Sequence, residues 1–474
     1  MTTAIVVGSG PNGLAGALVL ARAGLQVTVL EAADTIGGGT RTSELTLPGL
    51  LHDHCSAIHP MGVASPFMRD AELTDHGVEW LHPDIALSHP LDGGRAGALH
   101  RSLTETVAGL GPDGPRWERI FGHLSRGFDD LAVDVMQPLL HVPAHPVKLT
   151  RFGLNAIQSA QMLARRWKTD EAQTLFVGSA AHGYHPLNRP LTAAIGLMLV
   201  AVGHRYGWPV PKGGSAMISK AMADQITDAG GRIETGVRVR SLDDLPPADC
   251  VLLDLVPAGV VEVAGDRLPP RVRRAYERYR KAPGAFKLDL AVEGGVPWAD
   301  PHSGRAGTVH LGGTMAEIIA SEAAINRGRM PERPFVLVGQ QYLADPSRSA
   351  GDVHPVWTYA HVPHGYDGDA TEQIVDQLER FAPGVRERIV GCASIATTAW
   401  SDYNPNFVGG DVISGANDGL QVAFRPRIAL DPYSTGIPGT YICSAATPPG
   451  GGVHGMCGLH AARSALKHLG IDPP

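Results

Sequence analysis

The sequence predicts an α/β protein of two domains. One is a parallel-sheet domain assembled from separated segments. The other is an α+β domain with an antiparallel or mixed sheet, filling the stretches between them. Three observations carry this prediction. An apolar run at 4–7 ends in GSGPNG. A mid-chain block, PKGGSAMISKAMADQITDAGGRIETGVRVRSL at 211–242, reads as glycine turn, amphipathic helix, then strand. Near the C-terminus, TPPGGGVHGMCG at 447–458 runs into an apolar helical pattern.

Residues 4–7 are an unbroken apolar run, which suits a strand buried on both faces of a parallel sheet. Gly8, Gly10 and Gly13 follow in G-x-G-x-x-G spacing. The Ala- and Leu-rich residues 14–23 predict a helix closed by Gly24, and 26–30 a second strand ended by Glu31. Each part has a task in a Rossmann-type dinucleotide unit. The first glycine makes the turn, the second admits a pyrophosphate, and the third lets helix and strand pack closely. The helix N-terminus holds the phosphate charge, and the acidic residue about 20 positions on accepts hydrogen bonds from a ribose.

In the middle block the helix spans 215–229 and the strand 232–239, with a further apolar strand at 249–256. Strands are also expected at 285–292 and 334–343, and a helix at 459–466. The domain boundaries that follow are 1–71, 209–265 and 426–474 for the nucleotide domain. The substrate domain takes 72–208 and 266–425.

Composition narrows the function. A chain of 474 residues with 43% hydrophobic and 18% charged content is typical of a soluble globular protein. Its net charge of −7 gives no reason to expect nucleic acid. The five cysteines are odd in number and form no C-x-x-C pair, which argues against a disulfide framework or a zinc site and for a reducing cytoplasm. The uncharged N-terminal run is broken by glycines and preceded by no Lys or Arg, so no signal peptide is expected. The apolar run at 191–202 is shorter than the ~20 residues of a spanning helix.

After Glu31 the chain continues AADTIGGGTRT, a second glycine patch. This extension resembles that of FAD enzymes in the glutathione-reductase-like superfamily, amine oxidases and phytoene desaturases among them. There is no second G-x-G-x-x-G unit and no redox cysteine pair, so the expected electron route is from an organic substrate to oxygen or a quinone. Over nearly its whole length the chain resembles the phytoene dehydrogenase-like branch, on PGLLHDHCSAIHPMGVASP, PKGGSAM, APGAFKLDLAVEGGVPW, GTVHLGG, NPNFVGGD and CSAATPPGGGVHGMCG. That resemblance implies an FAD site at Gly8, Gly10, Pro11, Asn12, Gly13, Glu31, Ala32, Gly38, Gly39, Thr40, Arg41, Val237, Gly451, Gly452, Val453, His454 and Gly455. It also implies hydride transfer from an apolar or amphipathic substrate to flavin N5. Amine oxidation, redox-neutral isomerisation on reduced FAD and a non-catalytic FAD-binding role stay open. One departure is Ser444-Ala445, where many desaturases have Gly-Ala.

Two residues are candidates for chemistry. Lys287 lies in a segment similar to the amine-oxidase stretch whose lysine holds a water at N5; pairing with Asp289 or an exposed strand face is the alternative. His454 is suited to proton transfer near neutral pH or, alternatively, to orienting the glycine patch. His52, His54, His59, His310 and Asn404 receive no role, and no metal is expected. The basic run at 271–281 reads as a solvated helix face, with contact to anionic lipid or substrate as the sharper alternative. The stretch 148–168 mixes apolar and basic residues and leaves a membrane-side entrance open, which would make the protein peripheral at the membrane. The chain is expected to be a monomer or homodimer.

Overall fold

The computed structural model describes residues 2–474. Five parallel strands form the first sheet, in the order Thr440–Ile442, Cys250–Leu253, Thr3–Val7, Gln26–Leu30, Arg232–Glu234. Ala4 to Val7 are all buried, as a strand covered on both faces requires. The first helix, Pro11–Arg22, starts three residues earlier than expected. Pro11 occupies its first turn, where a missing N–H costs nothing and the fixed φ suits a helix. Gly10 precedes it without a side-chain cap, and the first-turn N–H of Gly13 is met instead by the Asp254 carboxyl at 3.1 Å.

Other strands are shorter than their apolar patterns. Arg232–Glu234 replaces 232–239, because Gly236 turns at φ +71° and the chain bends back. There Gly236 N donates to Ala33 O and Val237 N to Glu31 O, at 2.9 and 2.8 Å. Cys250–Leu253 stops at Asp254, and Val336–Gly339 gives way to a 3-10 turn. The C-terminal helix, by contrast, is longer than its core pattern and spans Met456–Leu469.

The second sheet has seven strands, ordered Ile389–Ile395, Gly284–Glu293, Val353–Val362, Val336–Gly339, Ala306–Leu311, Ile85–Leu91, Arg95–Leu99. It is mixed: Ala306–Leu311 and Ile85–Leu91 run parallel, the other neighbours antiparallel. Helix Thr371–Phe381 buries Ile374, Val375, Leu378 and Phe381 in the core on this sheet. Helices Asp170–Ala181 and Ala193–Tyr206 pack together, the former against the Ile85–Leu91 and Arg95–Leu99 strands. Phe128–Val135 and Pro146–Ala156 lie beyond them. The pairing of Trp80–Leu81 with Val210–Pro211 stitches two connecting segments together.

The C-terminal helix lies directly on the first helix. A side chain on Gly458 would overlap the Asn12 carbonyl, and one on Gly16 would stand 3.3 Å from Gly458 O. Main chain therefore meets main chain, which brings the two ends of the sequence to one place. The basic run falls on helix Pro270–Glu277 and the residues after it. Arg273 pairs there with Asp266 and Glu277, and Arg280 with Asp418. All five cysteines are unpaired; Cys392 is exposed and Cys55 partly so. Among the described residues, no helix is long and apolar enough to cross a membrane.

Candidate cofactor cradle and cavity

The loop after the first strand is built without room for side chains. Gly8 adopts φ +100° and donates to Leu30 O at 2.8 Å. A Cβ on Gly10 would meet Asp254 Oδ2 at 2.5 Å, and one on Gly13 would fall on the Gly8 carbonyl. The second glycine patch abuts the first, since a Cβ on Gly38 would lie 3.1 Å from Gly10 Cα. Tyr403 Oη donates to Gly38 O at 2.8 Å, and Thr40 Oγ1 to Gly37 O at 2.7 Å.

Glu31 ties this loop together. Its Oε2 accepts from Ser9 N and Ser9 Oγ at 2.9 and 2.5 Å, and its Oε1 from Ala33 N at 2.9 Å and Arg41 Nη2 at 3.4 Å. Arg41 also donates to Thr35 O and lies 5.2 Å over the Tyr403 ring. Asp254 closes the loop from the adjoining strand, accepting from Gly13 N at 3.1 Å. Burial pushes its carboxyl up to about 7, Gly13 pulling it down and Glu31 adding to the rise. The side-chain oxygen of Asn12 is buried here with no partner.

A cavity of about 760 Å³ begins at this loop. Gly10, Pro11, Asn12, Gly38 and Gly39 line one end, and Gly451, Gly452, Val453 and His454 the facing wall, beside Ser444 and Ala445. Lys287, Trp357, Tyr359 and Trp400 lie deeper along it, and apolar residues of the helical layer, such as Met136, Phe152 and Met198, line the far end. Gly8, Gly13, Glu31, Ala32, Thr40, Arg41, Val237 and Gly455 do not face the cavity. The first glycines, Glu31 and Arg41 support the cradle from behind, while Ala32 and Val237 are exposed at its outer edge.

Lys287 is only 1% exposed, and its Nζ bonds to Asp289, two residues along the same strand and on the same face. Burial lowers the lysine's hold on its proton and Asp289 opposes that, with a net lowering. Asp289 in turn lies 3.3 Å from His52 Nδ1, while His52 Nε2 pairs with Thr46 at 2.8 Å. The Lys287 ammonium stands 5.4 Å from the Trp357 ring. His454 is held by main chain on both sides: Met456 N donates to its Nδ1 at 3.1 Å, so Nε2 carries the proton toward Gly450 O at 3.2 Å. Burial takes its pKa down to about 4. A neutral ring with both nitrogens engaged orients the glycine loop. Ser65 Oγ, at 2.6 Å from His454 O, fixes the same point.

The remaining histidines separate. His54 pairs with Ser43 and His59 with Ser215. His310 is fully buried behind His182, a cavity-lining residue 3.0 Å from it. Of the motif at 404–411, Asn404, Asn406 and Phe407 reach the cavity. Asn406 brackets the main chain around Asp254, accepting from Val256 N and donating to Asp254 O, both at 2.9 Å. Asp254 itself was not singled out in the sequence, although ligands bind outside the carboxyl ends of parallel strands and it stands at one.

A parallel sheet with this loop at the carboxyl ends of its strands defines a Rossmann-like dinucleotide-binding class of fold. The comparisons with known proteins agree. Residues 6–72 match the NAD(P)-binding Rossmann-like domain. The chain is 23% identical to the rat pyridine nucleotide-disulfide oxidoreductase domain-containing protein 2, over 98% of this chain and 93% of that protein. It is 25% identical to the phytoene dehydrogenase of Streptomyces griseus, covering 95% and 92%. Among solved structures, a putrescine oxidase variant superposes with a TM-score of 0.64 at 18% identity, over 99% of this chain and all of that one. The chain is thus similar over most of its length to a phytoene dehydrogenase and shares its fold with an amine oxidase.

Proposed function

We propose that the protein is an FAD-dependent oxidoreductase that takes a hydride from an apolar, uncharged organic substrate and forms a C=C bond. The observation that carries this reading is the continuity of a side-chain-free cradle with a mainly apolar cavity. Asp254, at the cradle, is the one carboxylate facing that cavity among the described residues. The residues fit the cofactor: glycine main chain lines the cavity at Gly10, Gly38 and Gly39, the helix Pro11–Arg22 begins there without a cap from the Gly10 side, and Asn12 keeps a free buried oxygen.

FAD, when bound, supplies a two-electron acceptor for the hydride. The protein's own residues do the rest. The apolar wall excludes water and holds the substrate's C–H against the cofactor end. The carbon beside the hydride donor releases a proton, for which Lys287, facing the cavity and backed by Asp289, is the proton-handling group. His454 and Ser65 hold the 450–455 loop in place. Oxygen or a quinone is the proposed final electron acceptor.

A second reading, oxidation of an amine, is favoured by the likeness to putrescine oxidase. Against it stands a buried lysine in the cavity with no free carboxylate nearby to receive a cationic substrate. Anaerobic titration of the purified flavoprotein with apolar alkenes, terpenoids and lipids on one side and amines on the other separates the readings. Bleaching of the flavin band by the first group is expected. Bleaching by amines alone establishes the second reading, and a protein that cannot be loaded with FAD defeats both.

The cavity's outer rim supports a source for such a substrate. Leu139 and Ile157 line the cavity and are also 51% and 58% exposed, so they mark its mouth. Leu140, Val142, Val147 and Leu154 extend an exposed apolar ridge around it, flanked by Arg126, Lys148 and Arg151. We propose that this ridge rests on an anionic lipid surface, its apolar side chains entering the interface and its cations meeting headgroups.

A further inference from the structure

Two arginines are fully buried, and they are treated differently. Arg348 lies between Asp53 at 2.5 Å and Asp345 at 3.1 Å. Arg425, 2% exposed, has no carboxylate within 4.0 Å among the described residues. Its Nη2 donates to Asn417 Oδ1 at 2.6 Å, its Nη1 to Ala445 O at 3.2 Å, and its Nε has no partner. A buried, unpaired guanidinium is costly. Its place in the fold indicates what offsets that cost.

Asn417 and Ala445 both line the cavity. A Cβ on Gly450, which adopts φ +117°, would lie 2.9 Å from Arg425 Nη1, so no side chain stands between the guanidinium and this loop. The titratable neighbours are Tyr279 and Cys457, both neutral because burial pushes them up to about 12 and 11, and Asp411 beyond Tyr279. The helix Met456–Leu469 presents its N-terminus to the same loop, adding partial positive charge. The 444–455 wall of the cavity is thus backed by a full charge and a dipole of one sign.

We infer that Arg425 is a positioning residue whose charge, acting through the Ala445–Gly450 main chain, stabilises the negative charge that appears at this wall during turnover. This rests on the FAD reading above. A hydride carries two electrons and one proton, so a neutral acceptor that receives it gains one negative charge. The substrate keeps the matching positive charge until its proton leaves. A cation fixed one layer behind the wall favours the charged product without touching the substrate.

The test uses the FAD-loaded protein and sulfite, which adds to oxidised flavin and leaves a negative charge on the ring. Arg425→Gln is expected to weaken sulfite binding by roughly tenfold or more and to lower the reduction potential, with Arg425→Lys recovering most of both. Equal sulfite affinity and potential in wild type and Arg425→Gln, each carrying FAD, would overturn the inference. Should Arg425→Gln not fold, the wild-type potential decides the matter. Uptake of one proton per two electrons near neutral pH supports a charged reduced state, whereas two protons per two electrons refutes it. A wild-type protein that binds no FAD would instead count against the proposed function, which keeps the two failures apart.

Discussion

Asp254 places an ionisable group in the cradle where the proposed cofactor's phosphate would lie. Its carboxyl is held up to about 7, above the ordinary 3.8, so the protonated form is the one the buried site favours. The stability it contributes is full below the unfolded value and is lost as pH rises from about 4 through about 7. Asp254→Asn keeps the Gly13 contact without the charge. The variant's melting temperature should therefore exceed that of wild type at pH 8 and approach it at about pH 5. FAD affinity of the wild type should fall as pH rises through 7, measured by flavin fluorescence quenching, and that slope should vanish in Asp254→Asn. A pH-independent wild-type affinity would remove Asp254 from the cradle's electrostatics. Lys287→Met belongs to the same scale. It should slow anaerobic flavin reduction by roughly a hundredfold while leaving FAD bound, as expected for loss of a proton-handling group.

Helix contact explains why the cradle stays closed. The first and last helices touch through glycines, and Gly458 has no room for a methyl group beside the Asn12 carbonyl. Gly458→Ala must push the helices apart, at a cost of roughly 2 kcal/mol, and should lower FAD retention on gel filtration along with the unfolding midpoint in urea. An unchanged midpoint would mean that the helices slide without loss. The elements of the nucleotide unit were legible because they are local: strand, turn and helix follow one another at 3–30. Boundaries were read less well. The strand expected over 232–239 ends at Glu234 because Gly236 turns the chain into the Glu31 loop, a contact with a segment some 200 residues earlier. An alternating pattern cannot register such a partner.

For the whole molecule, the exposed ridge and the cavity mouth coincide, and this can be tested in solution. Vesicles containing anionic lipid should sediment the protein, zwitterionic ones should do so less, and salt should release it. Replacing Val142 and Leu154 with Glu should abolish sedimentation without altering bound flavin. A stable dimer that the same substitutions break apart would show that a second copy of the chain covers the ridge.

Much of the candidate site was readable because glycine at fixed spacing has few other purposes. The two glycine patches and the C-terminal loop at 450–455 were placed near one cofactor from sequence, and Gly10, Gly38, Gly451 and Gly452 do line one cavity. What the sequence left open was the state of every charged or titratable side chain. Lys287 acquires Asp289 and His52, and His454 turns both nitrogens to main chain. Asp254 meets Gly13 across 241 residues, and Arg425 is buried without a counter-ion. The sequence by itself determined the dinucleotide cradle, because backbone conformation and close approach are set by the local residue type. Only the tertiary structure decided which groups carry charge and which face the cavity. Burial and ion partners come from segments far apart in the chain, and no local pattern encodes them.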